Sequence, residues 1–89
     1  MIVDKVKIPS KSLRFMYNKE FDILDIFIDN IVSSFSEENY YGVYVRYDYI
    51  TNEIVGLSIN DYTKRNRDFI QKYLPFNLDF NYIDKNVVN

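Results

Sequence analysis

The stretch YYGVYVRYDYITNEIVGLSIN, residues 40 to 60, constrains the fold more than any other part of the chain. Val43, Val45 and Tyr47 alternate with Tyr44, Arg46 and Asp48. Beyond YITNE, Val55, Leu57 and Ile59 alternate with Ile54, Gly56, Ser58 and Asn60. Successive side chains on a strand point to opposite faces, so this two-residue period predicts a hairpin with one apolar face. Asn52 suits the positive backbone angle that its turn requires. On the same reading Tyr41, Val43, Val45, Tyr47 and Tyr49 share one face, and Tyr40, Tyr44, Arg46 and Asp48 share the other.

A second pair of strands precedes it. In SLRFMYN, Leu13, Phe15 and Tyr17 fall on one side, with Arg14 and Met16 on the other. NKEFD supplies turn chemistry, and ILDIFID resumes the alternation with Leu24, Ile26 and Ile28 against Ile23, Asp25, Phe27 and Asp29. The acids in this run raise the question of a carboxylate site. Asp25 and Asp29 lie on the face away from the apolar set, and four strand positions separate them by roughly 13 Å. One ion cannot be shared over that distance without another segment, so both are expected on a solvated face. Asp22, in the turn, is expected to accept hydrogen bonds from neighbouring backbone amides.

DNIVSSFSEENY has no clean period and reads as a loop with at most a short extended edge segment. Ser34 and Glu37 fit a capping box, but too few helix-forming residues follow it. In DYTKRNRDFIQKYLP, Tyr62, Phe69, Ile70, Tyr73 and Leu74 match one side of a helical period, predicting a helix over 62–74 that Pro75 ends. FNLDFNYID alternates again, predicting a fifth strand or C-terminal arm over 76–84, and NVVN is expected to fray. The whole is expected to be one small α+β domain over 1–89, an antiparallel four- or five-stranded β-meander sheet packed against one α-helix. The helix should cover the face bearing Leu24, Ile26, Ile28, Val55, Leu57 and Ile59.

Composition closes off several chemistries. Without His or Cys the chain has no imidazole base, thiolate nucleophile, disulfide or Cys/His zinc site. Glycine occurs only at 42 and 56, which rules out a glycine-rich phosphate loop. No cofactor, catalytic residue or metal ligand set is expected. The net charge of −2 weighs against a protein that grips phosphate backbones. MIVDKVKIPS lacks the basic leader and apolar block of a secretory signal, and no run approaches the length of a membrane span, so a soluble, cytoplasmic protein is expected.

YNKEFDILDIFI followed by GVYVRYDYITNEIVGLSINDYTKR resembles the small bacterial domain-of-unknown-function family numbered 2283. That family's pattern is a Tyr-Asp/Asn-x-Glu-x-Asp-x-Leu hairpin, then Gly-Val-x-Val-x-Tyr-Asp and Ile-Val-Gly-Ile. Residues 14 to 65 carry the match, with Tyr17, Glu20, Asp22, Leu24, Gly42, Val43, Val45, Tyr47, Asp48, Ile54, Val55, Gly56 and Ile59 at pattern positions. Phe21, Asp25 and the aromatic segment from Phe76 onward depart from it. The resemblance implies an antiparallel sheet backed by a helix, and it brings no catalytic residues.

Nine Tyr and seven Phe exceed what one small core can enclose, so some rings should be exposed. This favours a non-enzymatic protein-binding module, antitoxin-like or a phage-type inhibitor of a larger protein, or a homodimer. Tyr40, Tyr44, Arg46, Phe76, Leu78, Phe80 and Tyr82 are the expected contact residues. The alternative is a small-ligand or divalent-ion binder using Glu20, Asp22, Asp48 and Tyr47 gathered at hairpin ends. Lys64, Arg65, Arg67 and Lys72 form a cationic helix stripe that could touch phosphates, although an ordinary solvated face is the simpler reading in an acidic chain.

Overall fold

The computed structural model describes residues 13–29 and 33–88. β1 (Leu13–Asn18) and β2 (Ile23–Ile28) form the first hairpin, and β3 (Ser34–Tyr40), β4 (Val43–Asp48) and β5 (Ile54–Asn60) follow. The sheet order is β1-β2-β5-β4-β3, with every neighbouring pair antiparallel. A hairpin is thus joined to a three-stranded run through β2 and β5, which leaves β1 and β3 as the edges. The α+β class and the five-stranded antiparallel sheet agree with the sequence, but the order is not the expected meander, because β2 pairs with β5 and not with β3. The N-terminal segment assessed for leader character, and Asn89 of NVVN, lie outside the described residues.

Chain reversals occur at residues able to adopt a positive φ. Asp22 (55°) turns β1 into β2, Gly42 (78°) turns β3 into β4, and Asn52 (61°) turns β4 into β5. Gly42 was the missed signal in YYGVYV. It ends β3 at Tyr40, so Tyr40 belongs to a different strand from Tyr44 and does not share its face. Residues 34–40, expected to be a loop, form a full strand. Its sequence SFSEENY shows no apolar alternation because five of the seven residues are exposed, and its pairing with β4 rests on backbone hydrogen bonds.

The core face carries Leu24, Ile26, Val43, Val45, Leu57 and Ile59, all fully buried. Their register explains this: Ile26 faces Leu57, which faces Val45, and Leu24 faces Ile59, which faces Val43. Val55 was expected in this set. An irregularity opposite Arg46 and Tyr47 shifts the pairing so that Tyr47 faces Ile54, and Ile54 packs against the core instead. Asp29 was expected on the face of β2, but it lies beyond the strand end as an exposed residue at φ 56°.

The cover of this face is less regular than a single helix. Tyr62–Lys64 form a 3-10 turn, Arg65 is extended (φ −97°, ψ 145°), and α1 runs only from Arg67 to Gln71. The break has a cause in side-chain chemistry. Asn66 caps α1 by accepting from the Phe69 amide, while Arg65 donates to the carbonyls of Asn60 and Tyr41. Asp61, which precedes the 3-10 turn at φ 53°, makes no side-chain capping bond.

Residues 76–84 are not a strand. The Gln71 amide takes their backbone groups, donating to the Phe76 carbonyl at 2.8 Å and accepting from the Leu78 amide at 3.0 Å. Asp79 then caps α2 (Phe80–Ile83), which continues as a π-helical turn over Asp84–Val88. Val87 and Val88, expected to fray, pack against the core. Alternation at 76, 78, 80 and 82 imitates a strand, yet Phe76 and Leu78 turn inward before the chain coils. Replacing Leu57, central in this core, with Ala should cost about 2–5 kcal/mol in the denaturant unfolding free energy. An unchanged midpoint would contradict the packing described.

Candidate functional site

The hairpin-end carboxylates do not converge. Asp22 adjoins Ile23, which pairs with Asn60, whereas Asp48 adjoins Tyr47, which pairs with Ile54. They sit at opposite ends of β5, roughly 20 Å apart at ~3.3 Å per residue. Asp48 accepts from the Ile50 and Thr51 amides and shapes its own turn. Glu20 is exposed in the other turn. Among the described residues no three His, Cys, Asp or Glu side chains come together in a way that could hold a metal ion.

Asp22 is a tie across the fold. Its carboxylate accepts from the Tyr17 hydroxyl at 2.8 Å, the Thr63 hydroxyl at 2.7 Å and the Thr63 amide at 3.1 Å. Its carbonyl accepts from the Tyr62 amide at 3.1 Å. The turn of the first hairpin is thereby fastened to the start of the cover, forty-one positions away for Thr63, and not to neighbouring amides as expected. Burial alone would raise the carboxyl pKa. The Thr63 and Tyr17 hydroxyls and the Thr63 amide outweigh it and hold the group below the usual Asp value.

A second network closes the cover. Tyr62 is fully buried, and its hydroxyl donates to Asp84 at 2.8 Å. Arg67 pairs with the same carboxylate at 3.1 Å and stacks over the Tyr62 ring at 4.2 Å. It also donates to the carbonyls of Tyr62 and Arg65. Arg65 and Arg67 of the cationic stripe are therefore engaged within the protein, leaving Lys64 and Lys72 as its exposed members. Burial, then the bond to Asp84, pushes the Tyr62 hydroxyl well above the ordinary tyrosine value.

The expected contact residues separate into four groups. Phe76 and Leu78 are core residues and cannot meet a partner. Phe80 is half-buried, while Tyr82 is exposed with its ring 5.8 Å from Phe15. Tyr44 and Arg46 lie half-buried on the sheet face away from the core. Arg46 pairs with Asp25 at 3.3 Å and stands over Phe27, and its Nε is buried with no partner among the described residues. Gly56 permits this path, since a Cβ there would meet the Arg46 side chain at 3.3 Å and the Ile26 carbonyl at 2.5 Å.

Tyr40 belongs to a partly exposed group of three aromatic rings. Its ring lies 4.6 Å from Tyr73 and 5.2 Å from Phe69, and those two are 5.5 Å apart. Tyr41 projects beside it in the turn, 80% exposed. At the other end of β3, Phe35 stacks on Tyr47 at 5.5 Å and touches Tyr49 at 5.4 Å, and Tyr49 is 65% exposed. Sequence reading missed Phe35, Tyr49 and Phe69 as surface groups. The four-residue spacing of Phe69 and Tyr73 was the available signal for that pair.

No family model, curated protein or solved structure matches this chain. No helix among the described residues is long and apolar enough to cross a membrane.

The two networks give opposite pH signatures. Asp22 has a lowered folded pKa, so its contribution is complete above the unfolded Asp value of about 3.9 and is lost as pH falls through the folded value. Asp22→Asn should cost about 1–3 kcal/mol at neutral pH, and the difference from wild type should shrink below about pH 4. Denaturant midpoints across pH 2 to 7 check this. Tyr62 has a raised folded pKa, so its contribution is complete below about 10 and is lost as pH rises above it. Tyr62→Phe should therefore be less stable than wild type at neutral pH and lose less stability between about pH 9 and 12. Equal alkaline losses in the two proteins would refute the assignment.

Proposed function

We propose that this chain is a non-enzymatic cytoplasmic protein-binding module, of the kind that an inhibitor or antitoxin forms with a larger protein. The observation that carries the reading is the exposed aromatic surface bordering β3. Tyr40 in that strand, Tyr41 in the turn that follows it, and Tyr49 and Phe69 against its two ends are all large, exposed residues. Single exposed hydrophobic residues are ordinary, but a grouping of aromatic rings beside a strand edge with no partner strand among the described residues resembles the composition of interface centres.

The ligand or ion-binding alternative draws no support from Asp22 and Asp48, which are engaged in separate hydrogen-bond sets at opposite ends of the sheet. The resemblance to the family numbered 2283 is carried by the two hairpin motifs, whose Tyr17, Asp22 and Gly42 have structural tasks here.

The test is comparative capture from the native cell or infected host with the wild-type chain and a Tyr40→Ser/Phe69→Ser double variant. Melting curves establish that both are folded. A partner held by wild type, lost by the variant, and reconstituted from pure components supports the reading. A wild-type chain that captures no partner and remains a monomer by light scattering overturns it.

A further inference from the structure

Building on the protein-binding reading, we propose that β3 receives a basic extended segment of the partner as a sixth strand of the sheet. β3 ends the strand order, and among the described residues no strand pairs with its outer side. The amides and carbonyls along such an edge are a template for another extended chain. Five of its seven residues are exposed, including Glu37 and Glu38.

The side chains specify what can be added. Pairing places Phe35 opposite Tyr47, Glu37 opposite Val45 and Tyr40 opposite Val43, so all three lie on the core-side face of β3. The face thus reads aromatic, acidic, aromatic. Tyr49 widens its first end, and Phe69 with Tyr73 widens the last. A complementary strand carries apolar residues at its ends and Lys or Arg between them, on one alternating face. Glu38 adds acid on the opposite face, where its carboxylate accepts from the Gly42 amide at 3.0 Å.

The same acids oppose a second copy as the occupant. Antiparallel self-pairing about the middle of β3 sets Glu37 against its own counterpart, and like charges directly opposite are destabilising. The edge discriminates by repelling itself and attracting a basic strand.

Short synthetic peptides test this on the intact chain. One alternates Val and Thr around a central Lys, a second replaces Lys with Glu, and a third is the Lys peptide with methyl groups on alternate backbone amides. The Lys peptide should bind, protect β3 amides from hydrogen exchange and weaken as salt rises. The Glu peptide should bind about five- to tenfold more weakly. Glu37→Lys, at an exposed position, should invert that order, and the methylated peptide should not bind. Equal affinities for the Lys and Glu peptides, an order unmoved by Glu37→Lys, or undiminished binding of the methylated peptide would overturn the proposal. A captured partner that binds wild type and Glu37→Lys equally, with no peptide protecting β3, defeats strand addition while leaving the binding module standing. Failure to capture any partner, together with no peptide binding, defeats both.

Discussion

Tyr62 is the residue through which the cover of the sheet is held in place. A lone five-stranded sheet exposes two faces, and one of them here carries Leu24, Ile26, Val43, Val45, Leu57 and Ile59 across β2, β4 and β5. Among the described residues, the segment after β5 covers it with two short α-helices, a 3-10 turn, a π-helical turn and the stretch bearing Phe76 and Leu78. Isolated helices of four or five residues have no stability of their own, so tertiary bonds must fix them. Tyr62 provides several at once. Its amide donates to the Asp22 carbonyl, its carbonyl accepts from Arg67, its hydroxyl reaches Asp84, and its ring fills the core. One buried residue, through backbone and side chain together, therefore joins the first hairpin, α1 and the C-terminal coil.

Charge in this network is tolerable because it is shared. The Asp84 side chain stays 41% exposed, so only part of its hydration is given up. Asp84 also receives a hydroxyl and a guanidinium, and Arg67 places its remaining donors on two carbonyls while lying over the Tyr62 ring. Arg65 acts similarly beside Gly42, where a Cβ would collide with its guanidinium. Two of the four cations that resemble a phosphate-binding stripe in sequence are thus internal fasteners. Helical spacing revealed their common side but not their reach across the break at Arg65.

The legible part of the fold was the part with an apolar period. Both hairpins, the partition of Leu24 and Ile26 from Asp25, and the turn at Asn52 follow from alternation and turn chemistry. β3 was hidden because both of its faces at the sheet edge are polar or exposed, which removes the pattern while leaving the backbone pairing intact. The C-terminal segment failed in the opposite way. Phe76, Leu78, Phe80 and Tyr82 alternate, yet Gln71 captures the backbone at 76 and 78 and Asp79 starts a helix. A side-chain bond seven residues away decides that outcome, and period alone does not encode it. The exposed aromatic site was foreseen in kind, through the surplus of Tyr and Phe. Of the expected contact residues only Tyr40 lies in the aromatic group beside β3.

The distribution of stability along β3 links the fold to the proposed activity. Burial pins the register of β5, where Leu57 and Ile59 cannot move without leaving the core. β3 has no fully buried residue and carries an irregularity between Glu38 and Tyr40. It is anchored instead at its ends, by Phe35 on Tyr47 and by Tyr40 on Tyr73, with the Asn39 amide bonded to the Tyr73 carbonyl. A strand fixed at two ring stacks and polar between them can adjust to an added chain without disturbing the aliphatic core. The rings that secure its ends are also partly exposed, so a partner binding there would bury the groups that already order the strand.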